Sequence, residues 1–168
     1  MKRFLLSTAL AAVLVIPCVV RSQTIPSTVG AGPNGYDWQI GTWSCSNSMP
    51  SAAGGPSSQT LTVTRTSGGA ILYHTAAERF DVTSYNVYVP AKKMWLSPFI
   101  VADGTYGSEA TTDSGKTIVW TGTQVDPAGK TSQVRDTLVY DGTKYSDLGE
   151  TRLADTWKVQ YKITCTKC

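Results

Sequence analysis

The 168-residue chain contains one histidine, His74, in the run Leu72-Tyr73-His74-Thr75. A serine hydrolase needs a base beside its nucleophile. His74 is the sole imidazole and no Gly-x-Ser-x-Gly elbow occurs, so Ser-His-Asp chemistry is poorly supported. A paired-carboxylate glycosidase needs two acids facing one cleft. Glu78, Asp81, Asp103, Glu109 and Asp136 are available, but acids near turns are usually solvated or cap the turn. No cluster of His, Cys, Asp or Glu has metal-ligand spacing, and no phosphate-cradling or dinucleotide glycine motif occurs. On these grounds no catalytic residue, metal or cofactor is expected.

The dipeptide Arg135-Asp136 is more informative, because adjacent residues of a strand face opposite sides. Asp136 shares the parity of Val134, Leu138 and Tyr140. If that face is internal, Asp136 is a buried acid that needs a partner. In the opposite register Arg135 points inward with Thr137 and Val139, where it can grip a ligand carboxylate bidentately. The plainer use of the pair is a structural ion pair across strands. Arg135 and His74 are candidate ligand contacts, as are Tyr88, Trp95 and Tyr106, which are expected nearest the open end of the fold. Core packing is the competing role of those aromatics.

These residues must be positioned by strands. Turn signals recur at Pro50 to Ser58, Ser67-Gly68-Gly69, Pro90 to Lys93, Asp103-Gly104, Asp113-Ser114-Gly115, Asp126 to Gly129, Asp141-Gly142 and Leu153-Ala154-Asp155. Between them lie segments rich in Val, Ile, Thr, Tyr and Trp with period-two alternation, and no stretch of helical length keeps a 3.6 period. About ten strands with short links predict an all-β up-and-down meander. Closing it into a barrel removes bare edges. A Greek-key sandwich is the alternative. Five Trp and eight Tyr can line or plug such an interior.

Of the 15 Lys+Arg, three (Lys2, Arg3 and Arg21) lie in the first 22 residues, where no acid occurs; beyond them 12 cations face 12 acids. The net charge of +3 therefore belongs to the N-terminus, and no nucleic-acid partner is expected. Met1-Lys2-Arg3 followed by the apolar run Phe4 to Val20 reads as an export signal with cleavage before Gln23. An uncleaved anchor, or a lipoprotein modified at Cys18, is the alternative. Residues 23–35 read as a flexible leader and 36–168 as one domain, soluble and periplasmic or secreted, with no stable membrane insertion after cleavage.

Cleavage leaves Cys45, Cys165 and Cys168, and a disulfide is expected outside the cytoplasm. In the first strand Gly41, Trp43 and Cys45 share a face. In the last, Trp157, Val159, Tyr161, Ile163 and Cys165 share one by strict alternation. Cys45–Cys165 is thus the favoured pair, joining first strand to last, with Cys168 free or paired to another chain. A Cys165-x-x-Cys168 redox pair is the rival.

The run Ile40-Gly41-Thr42-Trp43-Ser44-Cys45 resembles the Gly-x-Trp opening of calycin barrels, which include lipocalins, fatty-acid-binding proteins and nitrobindin-type domains. Gly68-Gly69, Tyr85-Asn86-Val87-Tyr88, Asp103-Gly104-Thr105-Tyr106-Gly107 and Val134-Arg135-Asp136-Thr137 extend the likeness to an uncharacterised family of exported bacterial barrels. The resemblance implies a barrel and a small apolar or amphipathic ligand, with no known reaction. It implies structural roles for Gly41 and for Trp43, which would plug the closed end; strand alternation puts Trp157 on an inner face, and Trp120 is expected to be structural as well. Lipocalins set an arginine near the C-terminus against the motif tryptophan. Here the last strand offers Lys158 and Lys162, with Arg135 and Arg152 further back. Haem-binding nitrobindin-type domains use a C-terminal histidine, and this sequence has none after His74. The function expected is that of an exported small-ligand-binding barrel. The alternatives are a filled barrel acting through its surface and a barrel-mouth enzyme (lyase, isomerase or hydrolase).

Overall fold

The computed structural model describes residues 36–49, 56–77 and 80–168; the expected signal and leader lie outside them. Ten strands follow one another: β1 (Gly41–Asn47), β2 (Ser58–Arg65), β3 (Ile71–Ala77), β4 (Phe80–Val89), β5 (Met94–Val101), β6 (Tyr106–Thr111), β7 (Thr117–Val125), β8 (Thr131–Tyr140), β9 (Lys144–Leu153) and β10 (Thr156–Lys167). Each pairs antiparallel with its sequence neighbours, and β1 pairs with β10, so the meander closes into a barrel. Closure leaves no strand edge unpaired.

A single 3-10 turn, Asp37–Gln39, precedes β1 and seals one end. Tyr36 packs on Trp95 at 4.5 Å and on Trp120 at 5.8 Å between ring centroids. Trp38 stacks on Tyr140 at 4.1 Å. Trp43 is 0% exposed and donates its indole N–H to the Gln39 carbonyl at 2.7 Å. These aromatics, with Val63, Ile71, Ile118 and Tyr145, form the core at the sealed end.

The Gly-x-Trp motif has a physical reading here. Gly41 has φ +135, a conformation that L side chains rarely adopt, and a Cβ on it would lie 2.8 Å from Cε of Lys167. The bare glycine lets the Lys167 stem pass, which carries Nζ to 5.3 Å from the Trp43 ring. The cation against the motif tryptophan is thus Lys167 rather than Lys158 or Lys162.

Cys45 and Cys165 are directly opposite in the β1–β10 register and form a disulfide across the closing seam, 120 positions apart in sequence. Cys168 is free and exposed. Strict alternation fails at one place in β10. The β9–β10 register shifts between Val159 and Tyr161. A bulge adds one residue and so exchanges the two faces of the strand beyond it. Tyr161, Ile163 and Cys165 face inward, whereas Trp157 and Val159 share the outer face of Arg152 and Glu150. Trp157 is therefore an outer-face residue rather than part of the core.

Candidate functional site

Above the sealed floor the barrel encloses a cavity of about 400 Å³, open at the end that carries the β3–β4, β5–β6, β7–β8 and β9–β10 links. Its floor includes Trp120, Tyr145, Leu138, Ile163 and Leu61, and Phe80, Val82, Phe99 and Val101 border it toward the mouth on β4 and β5. Among the described residues, five acids border the cavity (Asp103, Glu109, Asp136, Asp147 and Glu150) and no Lys, Arg or His does.

Three of these acids interact inside the barrel, each from a different strand. Alternation along β8 turns Val134, Asp136 and Leu138 inward. Asp136 lies opposite Gly149 on β9, and Gly149 lies opposite Tyr161 on β10. A Cβ on Gly149 would stand 2.2 Å from the Tyr161 ring. The ring lies across the glycine, which lets its hydroxyl cross β9 and donate to Asp136. From the other side, Glu109 on β6 is opposite Gly122 on β7. A Cβ on Gly122 would fall 2.0 Å from the Ser108 carbonyl oxygen and 2.6 Å from Glu109 Cα. Glycine there lets β6 approach closely, and Glu109 also hydrogen-bonds Asp136.

Electrostatics assign the protons. Burial, followed by the charges of Asp136 and Asp147, pushes Glu109 up to about 10. Burial pushes Asp136 up to about 6, although hydrogen bonds from Tyr161 and Glu109 favour its charged form. Burial and then Asp136 hold Asp147 well above the usual carboxylate range. At neutral pH Glu109 is therefore a carboxylic acid whose O–H donates to an Asp136 carboxylate. Oε1 of Glu109 and Oδ1 of Asp147 are buried with no hydrogen-bond partner.

The residues expected to contact a ligand lie elsewhere. Arg135 has the opposite parity to Asp136. Its guanidinium bonds Glu150 on β9 at 2.6 and 2.8 Å and lies 4.5 Å from the centroid of the Trp157 ring. The cross-strand ion pair is thus the arrangement present, and the inward arginine is not. His74 is on the outer face, where its Nε2 is 2.9 Å from Asp81. Tyr88 packs on Trp95 at 5.4 Å, and both belong to the sealed end rather than the mouth. The chain enters β1 from the sealed end, so every even strand finishes there, and Tyr88 lies near the end of β4. Tyr106 is near the mouth but faces outward at 54% exposure, because its neighbour Thr105 lines the cavity. Trp120 is on the cavity floor and Trp43 lies in the sealed core.

Glu109, Asp147 and Tyr161 went unassigned from sequence. For Glu109 and Tyr161 the available signal was a pairing of parity with glycine, since Glu109 faces Gly122 and Tyr161 faces Gly149, whereas Asp147 lies between Leu138 and Ile163 and carries no such mark. No protein-family model matches the chain, and a search of curated proteins finds no significant match.

Proposed function

We propose that this protein is an exported binding barrel that holds one small amphipathic molecule. The observation that carries the reading is the cavity of about 400 Å³, closed below and open above. That volume suits a small ligand, and the lining, in which polar side chains outnumber apolar ones while Phe80, Val82, Phe99 and Val101 gather on one side, suits an amphipathic one. A barrel acting through its surface alone would have no use for inward-facing acids, which are costly to bury.

Two observations support the calycin-like resemblance. The chain makes a single-order antiparallel barrel, and a C-terminal cation meets the Gly-x-Trp tryptophan. Export is supported by the basic-then-apolar N-terminus and by the Cys45–Cys165 bridge, since disulfides persist in oxidising compartments.

A second reading rests on the split protonation of Glu109 and Asp136. Titratable groups pushed apart in this way can serve as general acid and general base. The barrel-mouth enzyme would then work from Glu109, Asp136 and Tyr161 rather than from His74.

Native mass spectrometry of the protein purified from its exported fraction tests the first reading. A stoichiometric extra mass, lost on denaturation, is the expected result. A bare mass that persists against a panel of alkyl amphiphiles refutes it. Chemical conversion of a captured molecule, abolished in Asp136→Asn, would favour the enzyme.

A further inference from the structure

Charge is sorted across the barrel wall. The sequence beyond residue 22 balances its signs, yet among the described residues no cation borders the cavity, while Asp103, Glu109, Asp136 and Asp147 do, beside Glu150, which Arg135 neutralises from the outer face. Cations are engaged elsewhere: Arg135 with Glu150 and Trp157, Lys167 over Trp43, and Arg65 with Asp37. At neutral pH the buried Asp136 carboxylate carries negative charge in a low-dielectric interior with no cation beside it, and a positive ligand there is attracted strongly and would draw the protons from the neighbouring Glu109 and Asp147.

Two buried acceptors also lack donors. Glu109 is 7% exposed and its Oε1 is unpartnered; Asp147 Oδ1 is unpartnered too. Such atoms are rare in folded proteins and are a reason to look for the group that satisfies them. The partner must bring several donors, because the acceptors come from β6, β8 and β9. Among the described residues no three metal-ligating side chains converge as a metal ion would require. Metal–oxygen bonds of about 2.0–2.6 Å need tight convergence, whereas the N–H···O bonds of an ammonium, about 2.7–3.2 Å, reach acceptors set further apart and leave a carbon chain to extend from the nitrogen.

The rest of the cavity supplies the place for that chain. In the ten-strand ring β4 lies five positions from β9 and four from β8, so the Phe80, Val82, Phe99 and Val101 side faces Asp147 and Asp136 across the cavity, while Glu109 on β6 stands beside β5 between the two sides. We propose that the molecule held here is an organic amine, bound as its ammonium by the Glu109, Asp136 and Asp147 carboxyls, with its hydrocarbon part against the β4–β5 side. This rests on the ligand-binding reading above and specifies the chemical class.

Calorimetric titration of the wild-type protein at pH 7.5 with n-octylamine, 1-octanol and octanoate tests it, because the three probes share a tail and differ in head group. Octylamine is expected to bind at least tenfold more tightly than either of the others. In Glu109→Gln and Asp147→Asn its affinity should fall about tenfold while that of octanol stays within twofold. Equal binding of octanol, or tighter binding of octanoate, overturns the amine assignment and leaves the binding barrel standing. Binding of none of the three overturns the reading beneath it. The comparison among probes uses only the native protein, so it decides the matter even if a substituted chain fails to fold.

Discussion

Raising the pH should destabilise this protein across a range in which most proteins are near their maximum. Glu109 changes from an ordinary value of 4.5 to about 10 on folding, and Asp136 from 3.8 to about 6. In both cases the folded state holds the proton more tightly than the unfolded state. The stabilisation is therefore complete below the unfolded value and is lost as the pH rises toward the folded value. One group in such a window changes stability by about 1.4 kcal/mol per pH unit. From pH 5 to pH 8 Glu109 alone predicts a loss of about 4 kcal/mol, and Asp136 adds about 1 kcal/mol between pH 5 and 6. That is a large share of the roughly 5–15 kcal/mol that holds a domain folded. The groups that face Glu109 are Asp136 from β8, Asp147 from β9 and Tyr161 from β10, none of them a cation. Tyr161 is raised above its ordinary value of 10.0 and does not titrate in this range. Asp141 is lowered by backbone N–H bonds and loses its contribution only in acid. Urea denaturation followed by tryptophan fluorescence at pH 5, 6, 7 and 8 measures the slope. Glu109→Gln, which keeps a neutral donor beside Asp136, should remove the Glu109 share of it and leave the share of Asp147, which burial also holds above its ordinary value. A wild-type stability that is constant or rising over this range, or a slope untouched by the substitution, refutes the assigned protonation.

Gly149→Ala should lower stability by about 1–3 kcal/mol as an overpacking change, because the new methyl would meet the Tyr161 ring at 2.2 Å; thermal melts check this. Replacing Cys45 and Cys165 together with Ser should cost about 4–5 kcal/mol in the chain-entropy treatment of a long loop, and chemical denaturation with and without reductant measures it. Arg135→Ala should cost about 1–2 kcal/mol for its charged hydrogen bonds to Glu150 and leave octylamine affinity within twofold, since the guanidinium is outside the barrel. A loss of binding in that variant, read by the same calorimetry, would show that the two faces of β8 had been assigned wrongly.

Alternation made much of the barrel legible from sequence. The parity of Val134, Leu138 and Tyr140 groups Asp136 with them but leaves open which face of β8 is internal, while the parity of Gly41, Trp43 and Cys45 places one half of the disulfide. Trp157 shows where alternation fails. One extra residue near Gln160 reverses the strand, and neither composition nor turn chemistry marks it. Depth was a separate problem. Parity says in or out but not mouth or floor, so Tyr88 and Trp95 were assigned to the wrong end. The acid cluster was hidden for a third reason. Glu109, Asp136 and Asp147 are 27 and 11 residues apart in sequence, and register alone brings them together, Glu109 and Asp136 across Gly122 and Asp147 from the strand beside Asp136.

The β1–β10 seam also has consequences for how the barrel is made. Nine of its neighbouring pairs join consecutive strands and can form locally, soon after each hairpin emerges. The tenth joins segments 120 positions apart and must wait for β10. Until then β1 and β9 are two open edges with unpaired backbone groups, the hazard that closure later removes. Pairing of such distant segments is slow, because loop-closure entropy opposes it before any contact forms. The vulnerable species is therefore the nearly complete sheet, and protection against edge-to-edge association matters most in the interval before the last strand docks.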